Sequence, residues 1–366
     1  MKRLGILLLI CLTVACNRQL SDMSGFSYQY KLNACDTVTI QDYIKNVELV
    51  PLDTSEFAFF CNVDKAIISD SLMYIGDYST SSVLVYDLEG RFRSALKKRG
   101  RGEGEYLELK NFTVDKDYIY TIDNFKHKVH IYDKCSMDYV MSKTLPFVAW
   151  DMASLGTGRF VFAFIPLPGG SLKENQPPYR ILITDNDFKF IDGLYLLEKD
   201  MSEPLGYRSY FVESGNKLYF SSFVFDGVTE FDKMSDNIIR IGFQFTDPIP
   251  DKYRFDTDAV NESEWTYSLS TPIPIRNYIS LELSMGDYSE SFVFCTRTKT
   301  LLANAESKTG IRFLSPICGY DNKFISLLKT KEEYNYLIRN GMSEVDESVL
   351  NILSSGGYAM LIYEMY

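Results

Sequence analysis

The chain has 366 residues, 46% of them hydrophobic and 24% charged, so it can bury one large core or two ordinary ones and has the balance of a globular protein. Its formal net charge of −11 at pH 7 argues against a nucleic-acid or anionic-membrane footprint, since both need clustered positive charge. The 26 Tyr and 25 Phe, against two Trp, favour pleated, half-buried surfaces and hence β structure.

The N-terminus reads "MKRLGILLLICLTVAC": Lys2 and Arg3, an apolar run from Leu4 to Ala15, then Cys16. This is the layout of a secretory signal, and the run is too short to span a bilayer as a helix. Ala15 before Cys16 resembles the lipobox of bacterial lipoproteins, with Thr13 where leucine is usual. That resemblance implies cleavage before Cys16 and diacylation of its thiol, with membrane attachment through the N-terminal lipid. Asn17, Arg18 and Gln19 follow, rather than the acidic stretch that resembles a surface-export signal. The expectation is therefore an outer-membrane lipoprotein facing the periplasm. Residues 1–16 are expected to be the signal, 17–36 a polar tether, and 37–366 one domain.

A repeat then emerges. "DSLMYIGDYSTSSVLVYDLEGRF" (70–92) and "KDYIYTIDNFKHKVHIYDKCSMD" (116–138) align without a gap at a shift of 46 residues, with Tyr74 on Tyr120, Asp77 on Asp123 and Asp87 on Asp133. Alternation and β-branched residues mark strands, and the Asp/Ser/Asn/Gly clusters mark turns. Weaker copies end at Asp185 and Asp232, a fifth covers 277–302, and "NKFISLL" (322–328) opens a sixth. "KEEYNYLIRNGMSEVDESVLNILS" (331–354) reads as a helical insertion, after which "YAMLIYEMY" completes that sixth unit. Units of ~40–50 residues with several strands each predict propeller blades. The fold expected is an all-β, six-bladed β-propeller with a short helical insertion near the C-terminus. "VELVPL" (47–52) is expected to pair beside the C-terminal strands and so to lock the first blade to the last.

Lipobox, "VELVPLDT", "YIGDYSTSSVLVYDLEGRF" and "KKRGRGEGEY" together resemble the six-bladed propeller lipoproteins common in Bacteroidetes, relatives of the TolB-like and NHL-repeat propellers. The resemblance is strongest over 47–133. Most members of that family have no established activity, so it implies a fold far more than a function. It also implies that Gly100, Gly102, Gly104, Glu105 and Tyr106 form a blade connector. The residues support this: the glycines permit positive φ in a sharp turn, and the next segment is a strand. A phosphate loop would need Gly-Lys-Ser/Thr and a helix N-terminus, so Lys97, Lys98, Arg99 and Arg101 carry only a weak case for phosphate.

Signals for chemistry are few. The two histidines, His127 and His130, fall at the start of one strand at a spacing that points them to opposite faces, so a shared metal is not expected. They read as exposed strand-edge residues. No Gly-x-Ser-x-Gly elbow is present. Past Cys16, Cys35, Cys61, Cys135, Cys295 and Cys318 are an odd set without paired spacing. They read as small buried hydrophobes rather than disulfides or zinc ligands. Asp77, Asp123, Asp87 and Asp133 recur with the blades and read as turn caps. "IPLPGGSLKENQPPY" (165–179) is either a grafted functional loop or a tolerated insertion. In 247–278, Trp265 and Tyr267 could stack on a sugar or peptide.

Two functions are compatible with this reading. One is a non-enzymatic envelope platform binding a protein or glycan partner, without cofactor or metal. The other is an envelope hydrolase or lyase acting on carbohydrate at the mouth of the central channel. The missing nucleophile–base motif favours the first, and converging carboxylates from different blades would favour the second.

Overall fold

A computed structural model describes residues 26–33, 37–166, 176–197, 201–235, 237–304, 311–340, 342 and 347–366. Six mostly antiparallel sheets follow one another around an axis. Their innermost strands are Lys65–Ser69, Asn111–Val114, Asp151–Ser154, Phe211–Ser214, Ile273–Ile275 (with Thr266–Ser268 beside it on the next strand) and Cys318–Tyr320. The six-bladed propeller expected from the repeat is the fold. Among the described residues no helix is long and apolar enough to cross a membrane.

Burial explains why these segments are strands. Leu72–Asp77 and Ser82–Asp87 are buried almost throughout because both sheet faces meet a neighbouring blade. Tyr139–Thr144, at the rim of blade two, has no fully buried residue. Six apolar clusters fill the six gaps between adjacent blades. Ile67, Tyr74 and Val85 meet Phe112 and Tyr132 between blades one and two. Met73 and Leu84 meet Ile325 and Met360 between blades one and six.

The recurring aspartates cap turns. Asp77 Oδ1 accepts from the amides of Ser79 at 3.0 Å and Thr80 at 3.3 Å. Asp133 does the same for Cys135 and Ser136, and Asp232 for Met234 and Ser235. The second-strand aspartates also hold the incoming connector: Asp77 Oδ2 accepts from Cys61 N at 2.7 Å, and Asp123 Oδ2 from Leu107 N at 2.7 Å. One carboxylate thus fixes a turn and the entry to its blade, a geometric reason for the constant register.

Ring closure uses Ile44–Pro51, antiparallel to Ala359–Met365, with Leu49 opposite Leu361. Blade six therefore combines both ends of the chain. The segment expected as a tether over 17–36 differs at its end, because Tyr28–Leu32 runs parallel along Ile238–Phe245 at the rim of blade four. Thr37–Thr39 then runs parallel along Thr300–Ala303 on blade five. The N-terminal region straps the outer edges of three consecutive blades, covering strand edges that would otherwise stand open. A second difference concerns the insertion at 331–354. It is two helices, Lys331–Arg339 and Glu347–Ser354, the first started by a Thr330/Glu333 capping box. Tyr334, Leu337, Val349 and Leu353 are buried against blades five and six.

The cysteines also divide. Cys295 and Cys318 are buried, as expected, whereas Cys61, in the connector entering blade one, and Cys135, in a turn, are exposed. Cys35 lies outside the described residues.

Strand order places the blade connectors and the turns between second and third strands on one face, here the connector face. The remaining turns lie on the opposite face.

Candidate functional site

The innermost strands bring charge onto the axis. Lys65, on blade one, is buried and spends its three protons on Asp151 Oδ1 at 2.6 Å, Met152 O at 3.0 Å and Asn111 Oδ1 at 3.1 Å. Asp151 is fully buried on blade three. Its other oxygen accepts from Tyr210 N at 2.7 Å, Phe211 N at 2.9 Å and Ser209 Oγ at 3.0 Å, all from blade four. A buried pair costs several kcal/mol of desolvation, and only complete bonding offsets it. Here every proton of the ammonium is bonded, so Lys65 and Asp151 join four blades and seal the axis.

On the connector side of this seal opens a cavity of 360 Å³, lined among others by Asp64, Arg208, Ser209, Ser270, Thr271 and Glu282. Blades one, four, five and six contribute to its wall. Asp64 accepts from Tyr78 N at 2.8 Å and from Arg208 Nη1 at 2.9 Å. The Arg208 side chain keeps 67% of its exposure, so its remaining donors face the opening. Thr271 Oγ1 donates to Ser209 O at 2.7 Å and ties blade five to blade four. Ser270 Oγ stands 3.4 Å from Glu282 Oε2. Hydroxyls, one oriented guanidinium and two carboxylates suit recognition of a polar ligand. Asp64 and Glu282 are the carboxylates that different blades bring to this mouth.

The residues singled out in the sequence lie elsewhere. Cys16 is outside the described residues, as is 167–175 of the Pro/Gly loop. Gly100, Gly102, Gly104, Glu105 and Tyr106 lie between the rim strand Phe92–Leu96 and the inner strand Asn111–Val114. Gly102 N donates to Glu105 Oε2 at 2.7 Å. Gly104 has φ +71°, and a Cβ there would lie 2.4 Å from the Tyr139 ring. Tyr106 is buried and its hydroxyl donates to Ser81 O at 2.8 Å. These residues come together with one another but not with the axial mouth. Trp265 stacks on Tyr253 at 5.4 Å and Tyr267 meets Phe223 edge-on at 5.1 Å. Each ring thus packs on one neighbour while remaining half-buried.

The histidines need correction as well. His127 sits in the turn with φ +51°, and His130 is only 2% exposed. His130 Nδ1 lies 2.8 Å from Ser142 Oγ, while Nε2 stands 3.8 Å from Asp123 Oδ2 without a hydrogen bond. Burial pushes its imidazole down to about 4, helped by Lys126 and Lys128 and opposed by Asp123. The folded protein therefore resists protonation that the unfolded chain accepts near 6.5. The associated stability is present above pH 6.5 and is lost as pH falls towards 4. Chemical denaturation is expected to show about 2 kcal/mol lost from this group between pH 7 and 5. His130→Asn should flatten that part of the profile whatever its constant offset, and an unchanged slope would reject the assignment.

Sequence reasoning missed Lys65, Asp151 and Arg208. A usable signal existed for the first: a lysine within the otherwise apolar strand "KAIIS". Nothing local marks Arg208. Among the described residues no group of three His, Cys, Asp or Glu side chains is placed to hold a metal ion.

Comparison with known proteins gives a consistent picture. A family model described as a domain of unknown function, DUF4934, matches residues 29–355. No curated protein matches the chain. The structure of a candidate exported protein from Bacteroides fragilis NCTC 9343 aligns with a TM-score of 0.71 at 16% identity, covering 92% of this chain and 98% of that one. A member of the DUF4221 family from Bacteroides vulgatus aligns at 0.52 and 10% identity, covering 89% and 99%. At these identities the likeness concerns the fold alone.

Proposed function

We propose that this chain, which belongs to the DUF4934 family, is a lipid-anchored envelope propeller that acts as a non-enzymatic binding platform for a protein or glycan partner. The lipid would sit on Cys16, and the periplasmic face of the outer membrane is the location this reading favours. The Bacteroides neighbour described as exported supports an extracytoplasmic setting, and the lipobox-like "TVAC" supports the anchor. The kinship with TolB-like and NHL-repeat propellers belongs to the same proposal.

The observation that carries the binding reading is the axial mouth itself. Its polar groups are set on three blades above a sealed, fully bonded pair, so the backbone that carries them has little ordering left to lose on binding. Asp64 is already engaged by Arg208 and Tyr78, which favours recognition over proton transfer. A photoreactive side chain at Ser270 should give adducts in the native membrane fraction. The same group at Lys189, exposed on the opposite face, should give none. Cys16→Ala should release the protein from that fraction. Equal crosslinking from both sites, or none, would reject the mouth as the binding surface.

A second reading, a carbohydrate hydrolase or lyase, is favoured by one feature: Asp64 and Glu282 reach the mouth from different blades. It predicts release of new sugar ends from envelope polysaccharide, abolished by Glu282→Gln.

A further inference from the structure

Three exposed phenylalanines stand on the connector face of blades one and two. Phe57 and Phe59, 67% and 60% exposed, project from the connector that enters blade one, while Ala58 and Phe60 between and beside them are buried. Phe125, 71% exposed, tops the turn between the second and third strands of blade two. The basic connector joins them: Lys97 Nζ donates to Phe57 O at 3.1 Å, and Lys126 Nζ donates to Glu105 O at 2.6 Å. Leu107, also exposed, lies on that connector.

Charge gathers at the same place. Lys97, Lys98, Arg99, Arg101 and Lys128 are all exposed. Among the described residues, no ion pair engages them. Asp53, Glu56 and Glu103 are exposed nearby, Glu108 is half-buried and Glu105 is turned onto the Gly102 amide, so the five exposed cations outnumber three exposed carboxylates. The net charge of −11 conceals this cluster, and the general argument from acidity against an anionic membrane does not apply to it.

We infer that this face of blades one and two docks on an anionic lipid surface, with Phe57, Phe59 and Phe125 entering the interface and the connector cations meeting the headgroups. The rings are on loop tips on a common face, as a flat fluid surface requires; Phe59 also borders a cavity of 190 Å³ with Phe60, Tyr86 and Tyr358, smaller than the usual ligand pocket, and Phe57 and Phe125 lie outside it. Phenylalanine has no polar handle to satisfy at a wet protein rim, whereas apolar insertion beside Lys and Arg is the usual composition of interfacial attachment. Each cation brought near an anionic surface strengthens the attachment. The axial mouth opens on this same face, so docking would turn it towards the membrane. The inference does not depend on what the mouth binds.

Hydrogen–deuterium exchange on the full chain tests this, compared between vesicles of phosphatidylcholine alone and vesicles with one quarter phosphatidylglycerol. Amides of 53–60, 97–107 and 124–128 are expected to exchange at least threefold more slowly on the anionic vesicles, with no change at 185–189 on the opposite face. Because the readout is local, attachment through the N-terminus does not mask it. The triple variant Phe57→Ser, Phe59→Ser, Phe125→Ser should lose the protection. So should Lys98→Glu, Arg99→Glu, Arg101→Glu. No protection on anionic vesicles, or equal protection on both faces, overturns the inference. Protection that survives loss of the phenylalanines but not of the cations also overturns it, assigning the patch to soluble polyanions.

Discussion

Replacing Lys65 with methionine is expected to lower the unfolding free energy by about 3–5 kcal/mol, the usual loss when one partner of a buried ion pair is removed. Methionine keeps the length and apolar stem of the side chain, so the loss reports charge and hydrogen bonds rather than a cavity. Asp151 would stay fully buried with a negative charge, bonded to Tyr210, Phe211, Ser209 and Met152 but without its cation. Asn111 Oδ1 and Met152 O would lose a donor as well. Asp151→Asn should also destabilise, and the double variant should lose less than the sum of the singles, since the two side chains form one network. Urea denaturation followed by circular dichroism measures all three. A loss below about 1 kcal/mol for Lys65→Met would mean that the axis is held by the interblade apolar clusters alone.

Leu361→Pro is expected to prevent the ring from closing. Leu361 is fully buried at the middle of Ala359–Met365, between Ser326 on one side and Leu49 on the other. Proline removes a ladder hydrogen bond and does not fit a central strand. Loss of the buried leucine side chain adds to it, and blade six would then leave two strand edges open at the seam. The expected result is an insoluble chain, or one that elutes as oligomers and unfolds without a cooperative transition. Val140→Pro is the matched control. Val140 sits at the bulge on the rim strand of blade two and has no partner in the register, so that variant should remain a folded monomer. If Leu361→Pro behaves like the control, the pairing of the two chain ends is not what holds the propeller together.

Much of the fold was legible because its causes are local. Asp77 and Asp123 repeat at a fixed interval since each caps the turn beside it and binds a connector amide 16 residues earlier. Of the connector glycines only Gly104 takes positive φ, +71°, directly under the Tyr139 ring, while Gly100 and Gly102 do not. Closure could be inferred from "VELVPL" because an apolar strand with no neighbour in sequence must find one in space. The N-terminal strap was not legible. Tyr28–Leu32 is half exposed, so it lacks the pattern of a core strand, and its parallel partner begins more than 200 residues later. His130 was misjudged because two histidines three apart suggest an edge, whereas the turn ends at His127 and the strand that follows buries only the second.

The architecture was legible in the residues: blade number and turn chemistry follow from alternation and capping within windows of a few tens of residues. The axial seal, the mouth and the aromatic–basic face arise from contacts between distant blades. Lys65 and Asp151 are 86 positions apart, and Arg208 is 144 from Asp64. A propeller sets the first strand of every blade around one axis, so residues from distant blades converge there. Their meeting is fixed by the geometry of the ring, which no local periodicity encodes.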